Sequence, residues 1–291
     1  MMIEHESADI LANACKQIGL NSSGAIPIRL AENALWRLPG GVVVRIARKG
    51  NIDISKKEIK VARWLKDQGI SAVVPLTLEQ PLEFEGRPVT FWEELAPHRE
   101  GTPLEVSKVL KRLHSLAPPD FLPKLKPLAG VETRITQASW LPTADREWML
   151  ELYCTLKTRW DHLPPRLPEC VVHGDAWGGN CVVDDNGCTH LLDFERVAIG
   201  PPEWDLVSTA IELTDGWLSA ESYATYCETY GSDVMTWDGF ETLRAIRELR
   251  RTAWGAVVAE SDPKWQQQVR FRIECLQGKH GPRPWKWTSI L

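Results

Sequence analysis

Hydrophobic residues in the first third of the chain follow both helical and strand-like spacing. Apolar positions recur three or four residues apart over residues 7–20 and 55–68, which predicts two amphipathic helices. Short apolar runs bounded by turn residues predict five strands, over residues 26–30, 34–38, 42–47, 75–82 and 88–95. We therefore expect a small sheet accompanied by two helices in this part of the chain.

The remainder of the chain is predicted to be mainly helical, with one β-hairpin. The predicted helices cover residues 104–116, 138–163 with a break at Pro142, 206–213, 219–230, 237–260 and 263–277. Before the last four helices, the apolar runs 180–183 and 189–192 flank Asn186 and Gly187. Asn-Gly between two such runs is typical of a tight hairpin turn.

The predicted hairpin brings oxygen-bearing side chains to one end. Asn180 starts its first strand, Asp193 follows its second strand, and Asp175 lies on the loop before it. Carboxylate and amide oxygens suit a hard cation such as Mg²⁺, which completes its coordination with water and substrate phosphates. Two alternatives are a surface loop built from ordinary turn residues and a metal-hydrolase site around His173. The hydrolase site would need further histidines at ligand spacing.

Composition and charge narrow the class of protein. The length of 291 residues allows two lobes, and a hydrophobic content of 43% with 25% charged residues is ordinary for a globular protein. A net charge of −5 gives no support for nucleic-acid binding and is compatible with cationic substrates. Seven cysteines without C-x-x-C spacing, no signal-like start and no long apolar run favour a cytoplasmic protein without membrane contact.

The hairpin region resembles a known family. The sequence H-G-D-x-x-x-x-N ending at Asn180, followed by L-D-F around Asp193, is similar to the catalytic segment of aminoglycoside phosphotransferase and choline kinase-like small-molecule kinases. The resemblance implies a protein-kinase-like bilobal α+β fold. It implies a small β-rich N-lobe over residues 1–97, which binds the nucleotide, and a larger, mainly helical C-lobe over residues 98–291.

Roles for individual residues follow from the same resemblance. Asp175 is expected to act as the catalytic base, and Asn180 and Asp193 are expected to hold Mg²⁺. His173 and Asp205 are expected to support the catalytic loop. For Asp205, a simple helix N-cap is the plain alternative.

The resemblance also implies nucleotide-binding residues in the first third of the chain. Arg45 stands where kinases have a phosphate-binding lysine, and Glu58 is expected to pair with it. The phosphate-covering loop around Asn33 lacks the glycine-rich sequence of protein kinases. The hinge that binds the base is placed at Glu94, Leu95 and Ala96. Alternatives are an exposed edge-strand cation for Arg45 and a solvent-facing glutamate for Glu58.

Acceptor-binding residues are expected on the catalytic loop and the following helices: Trp177, Glu203, Trp204, Glu212 and Asp215. Acidic residues in this region would attract a polyamine such as an aminoglycoside. Nearby arginines can instead neutralise these carboxylates at helical spacing, and the tryptophans can equally fill the core.

Together these features predict an ATP- or GTP-dependent, Mg²⁺-requiring kinase that phosphorylates a hydroxyl of a small molecule, with an aminoglycoside or other antibiotic as a candidate acceptor. Two alternatives stay open. One is a metabolic kinase acting on an amino sugar, choline, homoserine or fructosamine, and the other is a catalytically silent nucleotide-binding regulator. No obligate protein partner is indicated.

Overall fold

Strands dominate the first part of the chain and helices dominate the last part. The structure is a computed structural model that describes residues 4–31, 33–165 and 167–290. The helices are α1 (Glu4–Gln17), α2 (Ile52–Asp67), α3 (Pro103–His114), α4 (Val131–Gln137), α5 (Thr143–Asp161), α6 (Glu203–Thr214), α7 (Ala220–Tyr230), α8 (Phe240–Ser261) and α9 (Gln266–Leu276). The strands are β1 (Ile26–Leu30), β2 (Ala34–Leu38), β3 (Val42–Ile46), β4 (Leu82–Phe84), β5 (Arg87–Glu93), β6 (His98–Glu100), β7 (Cys170–Val172), β8 (Cys181–Asp184), β9 (Thr189–Leu191) and β10 (Ala198–Gly200). This content confirms the predicted α+β class.

The chain forms two units, and each unit combines two separate segments. The first comprises the chain up to Leu122 together with Trp177–Val197. The second comprises Pro123–Ala176 together with the chain from Ala198 onwards. These two units are groups of residues that lie close together in space. The boundary predicted at residue 97 instead separates a nucleotide-binding lobe from the rest of the chain, and it stays a prediction.

A five-stranded antiparallel sheet lies at the centre of the first unit. The strand order is β1-β2-β3-β5-β4, so β3 lies between β2 and β5. One face of the sheet packs against α1 in a continuous apolar core, which includes Ile10, Leu11, Ala14, Trp36, Leu38, Val44, Ile46, Val89 and Phe91. Four of the five strands predicted for this part of the chain are thereby confirmed.

The opposite face of this sheet carries polar side chains in register. Arg45 of β3 pairs with Leu35 of β2 on one side and with Thr90 of β5 on the other. Arg37 and Trp92 lie one row further along the same face, because side chains alternate between the faces along each strand. Since β3 has a neighbour on both sides, Arg45 is not an edge-strand cation, and that alternative is wrong.

The strand predicted over residues 75–82 is wrong. Within this range and just beyond it, a strand occurs only at Leu82–Phe84. In the segment before it, the side chain of Gln80 contacts β5. Gln80 Oε1 accepts a hydrogen bond from the N–H of Phe91 at 2.8 Å, and Gln80 Nε2 donates to the carbonyl oxygen of Leu76 at 2.8 Å. The backbone of residues 74–76 forms one isolated bridge to β5, in which the N–H of Leu76 donates to the carbonyl oxygen of Phe91 at 2.9 Å. The Gln80 side chain then takes the place of a backbone partner, so this bridge does not extend into a strand.

The predicted hairpin is confirmed as β8 and β9. Cys181 pairs with Leu191, and the N–H of Leu192 donates to the carbonyl oxygen of Asn180 at 2.9 Å. Gly187 in the turn has a φ of +77°, a conformation that glycine adopts without strain. β6, which the sequence did not predict, pairs with β8 and completes a three-stranded sheet.

Helices packed around α8 form most of the second unit. Helix α8 contacts α4, α5, α6 and α9. Its buried side chains are mostly apolar and include Leu243, Ile246, Leu249, Ala253 and Ala256. A two-stranded antiparallel sheet of β7 and β10 pairs Val172 with Ala198. The four predicted C-terminal helices are confirmed with shifted ends.

One predicted helix begins later than expected. The helix predicted over residues 138–163 starts only after Pro142, at Thr143, and α4 precedes it as a short separate helix. None of the helices in the described part of the chain is both long enough and apolar enough to cross a membrane.

Candidate active site

A buried ion pair lies on the polar face of the five-stranded sheet. Arg45 Nη1 lies 2.5 Å from Glu58 Oε1 of α2, and the two side chains are 15% and 4% exposed. The predicted pairing of Glu58 with Arg45 is confirmed. The alternative of a solvent-facing glutamate is wrong, because Glu58 is buried.

Burial and neighbouring carboxylates shift the pKa values of both partners. Burial lowers the pKa of Arg45, but the attraction of Glu58, Asp193 and Glu195 outweighs it and leaves the pKa above its ordinary value. Burial raises the pKa of Glu58 to about 7 against the opposing effect of Arg45. Arg45 therefore stays charged, and Asp193 and Glu195 lie close enough to influence both members of the pair.

The backbones at Asn180 and Asp193 lie next to each other at one end of the hairpin, and the role of their side chains in metal binding stays a prediction. The hydrogen bond from the N–H of Leu192 to the carbonyl oxygen of Asn180 joins the two backbones next to Asp193. Asp193 is exposed, and its Oδ1 accepts from the N–H of Glu195 at 3.4 Å. One carboxylate and one amide oxygen on adjacent backbone segments fit the donor set of Mg²⁺, which leaves the remaining positions to water and phosphate.

The predicted hinge lines a cavity of about 640 Å³ in the first unit. Its walls are formed by Arg37, Gly41, Glu94, Leu95, Ala96, Pro97 and His98. This volume lies within the range of small-ligand sites, about 300–1,000 Å³. Arg37 Nε lies 2.5 Å from Glu94 Oε1 at this cavity. The sequence did not indicate Arg37, because a charge in a short strand carries no sign of its partner.

Asn33, predicted in the phosphate-covering loop, lies between β1 and β2. Its backbone carbonyl oxygen accepts from the N–H of Ala31 at 3.1 Å. Its side-chain Oδ1 is buried without a hydrogen-bond partner in the described part of the chain. The neighbouring Glu32 of the predicted loop lies outside the described residues. The phosphate-binding role of Asn33 stays a prediction.

In the second unit, Asp205 holds the backbone of the loop that precedes Asp175. Its Oδ2 accepts from the N–H of His173 at 2.6 Å and its Oδ1 from the N–H of Gly174 at 2.8 Å. Both Asp205 and His173 are fully buried. Asp205 is the third residue of α6, so the N-cap alternative is wrong. Its two hydrogen bonds are those that loop support requires, and the role of Asp205 and His173 in the site stays a prediction.

Trp204 and Arg247 complete the contacts around this loop. The Trp204 indole donates to the carbonyl oxygen of Gly174 at 3.1 Å, and the Arg247 guanidinium lies 4.4 Å from the centre of the same ring. Arg247 Nη2 donates to the Trp204 carbonyl oxygen at 2.5 Å, and Nη1 lies 3.8 Å from Asp175 Oδ1. The sequence placed Arg247 among arginines that neutralise helix carboxylates, and it gave no signal for this contact with the loop.

Two predicted acceptor-binding residues are buried in the second unit. Glu203 is 4% exposed and accepts from the N–H of Leu167 at 2.7 Å, and Trp204 is 1% exposed. Both side chains therefore support local structure. Their contact with an acceptor stays a prediction.

The other three predicted acceptor residues differ in environment. Asp215 is buried and pairs with Arg251 at 3.0 Å, while Glu212 is half-buried. Trp177, in the first unit, is 44% exposed, and its ring lies so close to Gly179 that a Cβ there would fall 2.3 Å from it. Their role in acceptor binding likewise stays a prediction.

A comparison with protein families identifies one match. The model of the phosphotransferase enzyme family, abbreviated APH, matches residues 27–249. This range contains Asn33, Arg45, Asp175, Asn180 and Asp193. Among curated proteins, none shows significant sequence similarity to the chain.

Solved structures of several small-molecule kinases share the fold. A choline/ethanolamine kinase family protein from Mesorhizobium loti is 18% identical with a TM-score of 0.65, over 98% of this chain and 97% of that chain. An aminoglycoside phosphotransferase from Streptomyces rimosus is 19% identical with a TM-score of 0.63, over 85% and 99%. A spectinomycin phosphotransferase solved with ADP and spectinomycin is 15% identical with a TM-score of 0.61, over 97% and 96%. These likenesses confirm the predicted kinase-like fold.

The shifted pKa of Glu58 predicts a pH dependence of stability. Its pKa is about 7 in the folded protein against 4.5 ordinarily, so the folded state retains a proton that the unfolded state loses. The free energy of unfolding is therefore expected to fall as the pH rises from about 4.5 to about 7, by on the order of 2–3 kcal/mol, and to level off above. Urea unfolding of wild type and Glu58→Gln at several pH values isolates the contribution of Glu58 to the pH dependence of stability. Parallel pH profiles for the two proteins would contradict it.

Removal of the Asp205 carboxylate is expected to destabilise the second unit. Asp205→Ala leaves two buried N–H groups without acceptors, which is expected to lower the free energy of unfolding by about 3 kcal/mol or more. Asp205→Asn retains one acceptor oxygen and is expected to be intermediate. Urea unfolding measures both, with Glu228→Ala at an exposed position of α7 as the control. If Asp205→Ala lowers the free energy of unfolding no more than the control does, this interpretation is wrong.

Proposed function

Since the chain belongs to the phosphotransferase enzyme family, we propose that it uses ATP or GTP with Mg²⁺ to phosphorylate a hydroxyl group of a small molecule. The observation that carries the proposal is the grouping of Arg45, Glu58, Asn180 and Asp193 within the first unit. A permanent cation held by a buried carboxylate, beside two oxygen ligands, is what a metal-bound triphosphate requires.

The nucleotide side of the reaction is assigned to the first unit. Arg45 binds the phosphates as a fork of N–H donors, and Glu58 fixes its direction. Asn180 and Asp193 would hold Mg²⁺, which when bound supplies charge neutralisation to the phosphate oxygens. The cavity beside Glu94, Leu95 and Ala96 takes the purine base of the nucleotide.

The acceptor side is assigned to the loop held by α6. Asp175 accepts the proton of the attacking hydroxyl and orients its oxygen towards phosphorus. Asp205 and Trp204 hold the backbone at His173 and Gly174, so that Asp175 projects from a fixed loop. Positioning of this kind supplies most of the acceleration in phosphoryl transfer.

Ion pairs between acidic residues and arginines in the second unit affect which class of acceptor the protein would bind. An aminoglycoside or other antibiotic is the first candidate, and a polyamine would need unpaired carboxylates. Asp215 pairs with Arg251, and Glu241 pairs with Arg244, which reduces the local excess of negative charge. This pairing favours the second candidate, a metabolic kinase whose acceptor is an amino sugar, an amino alcohol such as choline, homoserine or a fructosamine.

We place this activity in the cytoplasm, where ATP and GTP are available. All seven cysteines, each within the described part of the chain, are free thiols, which suits a reducing compartment. A catalytically silent regulator would have no need of Asp175, so nucleotide turnover separates that alternative from the proposal.

Substitution of the two central aspartates should separate catalysis from nucleotide binding. Asp175→Ala is expected to lower the transfer rate by about 10²–10⁴-fold through loss of the general base, while nucleotide affinity is retained. Asp193→Ala is expected to abolish Mg²⁺-dependent nucleotide binding as well. Calorimetry with MgATP and MgGTP, together with a nucleotide-hydrolysis assay, measures both effects. Asp185→Ala, at an exposed position of the hairpin turn, is the control. Wild-type affinity in the Asp193 variant would count against its metal role.

A screen of acceptors tests the substrate class. Transfer of labelled γ-phosphate is measured to aminoglycosides, other antibiotics, amino sugars, choline, homoserine and a fructosamine. Because two acidic residues are paired with arginine, acceptors with at most one positive charge are expected to show the higher kcat/KM. A clear preference for polycationic aminoglycosides would reject the metabolic candidate and retain the antibiotic one.

A further inference from the structure

Lys57 is a half-buried cation of α2 whose hydrogen bonds reach the segment after Asp193. Its Nζ donates to the carbonyl oxygen of Glu195 at 2.7 Å and to that of Val197 at 3.1 Å. The neighbouring Lys56 on the same helix is exposed. Lys57 therefore differs from an ordinary solvated lysine on a helix surface.

Burial disfavours the charged form of the Lys57 side chain. Burial lowers the pKa of Lys57, and the carboxylates of Glu58, Glu195 and Asp193 only partly offset this effect. Its hydrogen bonds go to neutral carbonyl groups, which repay less of the cost of removing a cation from water than a direct ion pair would. Lys57 therefore keeps its contact with this segment against the cost of its own burial, a cost that the exposed Lys56 does not bear.

The segment that Lys57 contacts contains a strained residue. Asp193 has φ of +57° and ψ of +80°, in the left-handed region that residues other than glycine rarely adopt. Such a conformation costs about 1–3 kcal/mol and persists only where the surroundings hold it. Before Asp193, the N–H of Leu192 is bound to Asn180, and after it the carbonyl oxygens of Glu195 and Val197 are bound to Lys57.

The side chain of Glu195 adds a second connection in the same segment. Its Oε1 lies 3.4 Å from Arg48 Nη2, and its Oε2 lies 3.8 Å from Arg45 Nη2. Arg45 therefore has carboxylates on two elements, Glu58 of α2 and Glu195 after Asp193. Lys57, next to Glu58 in the sequence, connects the same two elements through the backbone.

We propose that Lys57 is a positioning residue, which holds the backbone after Asp193 against α2 and thereby keeps the Asp193 carboxylate directed for metal binding. This inference rests on the proposed role of Asp193 as a Mg²⁺ ligand. Adjacent residues of one helix thus fix both halves of the nucleotide site, since Glu58 orients Arg45 and Lys57 orients Asp193. Supporting contacts of this kind tune metal ligands without touching the metal.

The test compares Lys57→Met with Lys56→Met, which makes the same substitution at an exposed neighbour. Methionine retains the apolar stem and removes the N–H donors. Lys57→Met is expected to raise the Mg²⁺ concentration that half-saturates nucleotide binding by about 10–100-fold, the range for lost supporting contacts of metal ligands. Affinity for the nucleotide without Mg²⁺ is expected to stay close to wild type, and Lys57→Arg should restore most of the Mg²⁺ response. Calorimetric titration of nucleotide at several Mg²⁺ concentrations, and Mn²⁺ binding by electron paramagnetic resonance, measure these effects.

Several outcomes decide between the proposals. Equal Mg²⁺ dependence in wild type, Lys56→Met and Lys57→Met would overturn the positioning role. Equal losses of affinity with and without Mg²⁺ would overturn it too, because they indicate general destabilisation. If Lys57→Met does not fold, Lys57→Gln, which keeps a shorter donor, is judged by the same criteria. Failure of the wild-type protein to bind ATP or GTP under any condition would instead contradict the proposed function.

Discussion

The buried ion pair between Arg45 and Glu58 is the interaction on which the proposed nucleotide site of the first unit depends. Two charges removed from water cost several kcal/mol, and their attraction offsets this cost only when the geometry is close. A central strand supplies Arg45 and a packed helix supplies Glu58, so two regular elements set the distance of 2.5 Å between them. The pair is thus better understood as a device that orients a cation than as a source of stability.

In the second unit, hydrogen bonds to backbone groups hold a loop in place, much as the ion pair holds Arg45 in the first unit. Gly174 has a φ of +83°, and its loop turns sharply before Asp175. The buried carboxylate of Asp205 accepts two successive N–H groups of this loop, while the Trp204 indole binds a carbonyl group. Because the first turn of α6 provides both partners, a helix helps to set the shape of the loop.

Much of the fold could be predicted from the sequence, and the failures share a physical cause. Asn186 and Gly187 between apolar runs specify a hairpin through local turn chemistry, and this prediction was correct. The short strands β6 and β10 were missed, because three residues gain strand character only from distant partners. In the same way, the Gln80 side chain bonds to β5 within the stretch predicted as a strand, and Lys57 binds carbonyl groups far along the chain. Contacts between a side chain and distant backbone leave no periodic signal.

The order of segments within the first unit has a consequence for its biosynthesis. Strand β6 pairs with β8, although α3 of the first unit and residues 123–176 of the second unit lie between them in the sequence. As the chain leaves the ribosome, the five-stranded sheet can assemble early. Strand β6 has no partner until Cys181–Asp184 have emerged. The nascent protein therefore carries β6 as an unpaired strand until β8 has been synthesised. The same hairpin that gives β6 its partner also places Asn180 and Asp193 at its end.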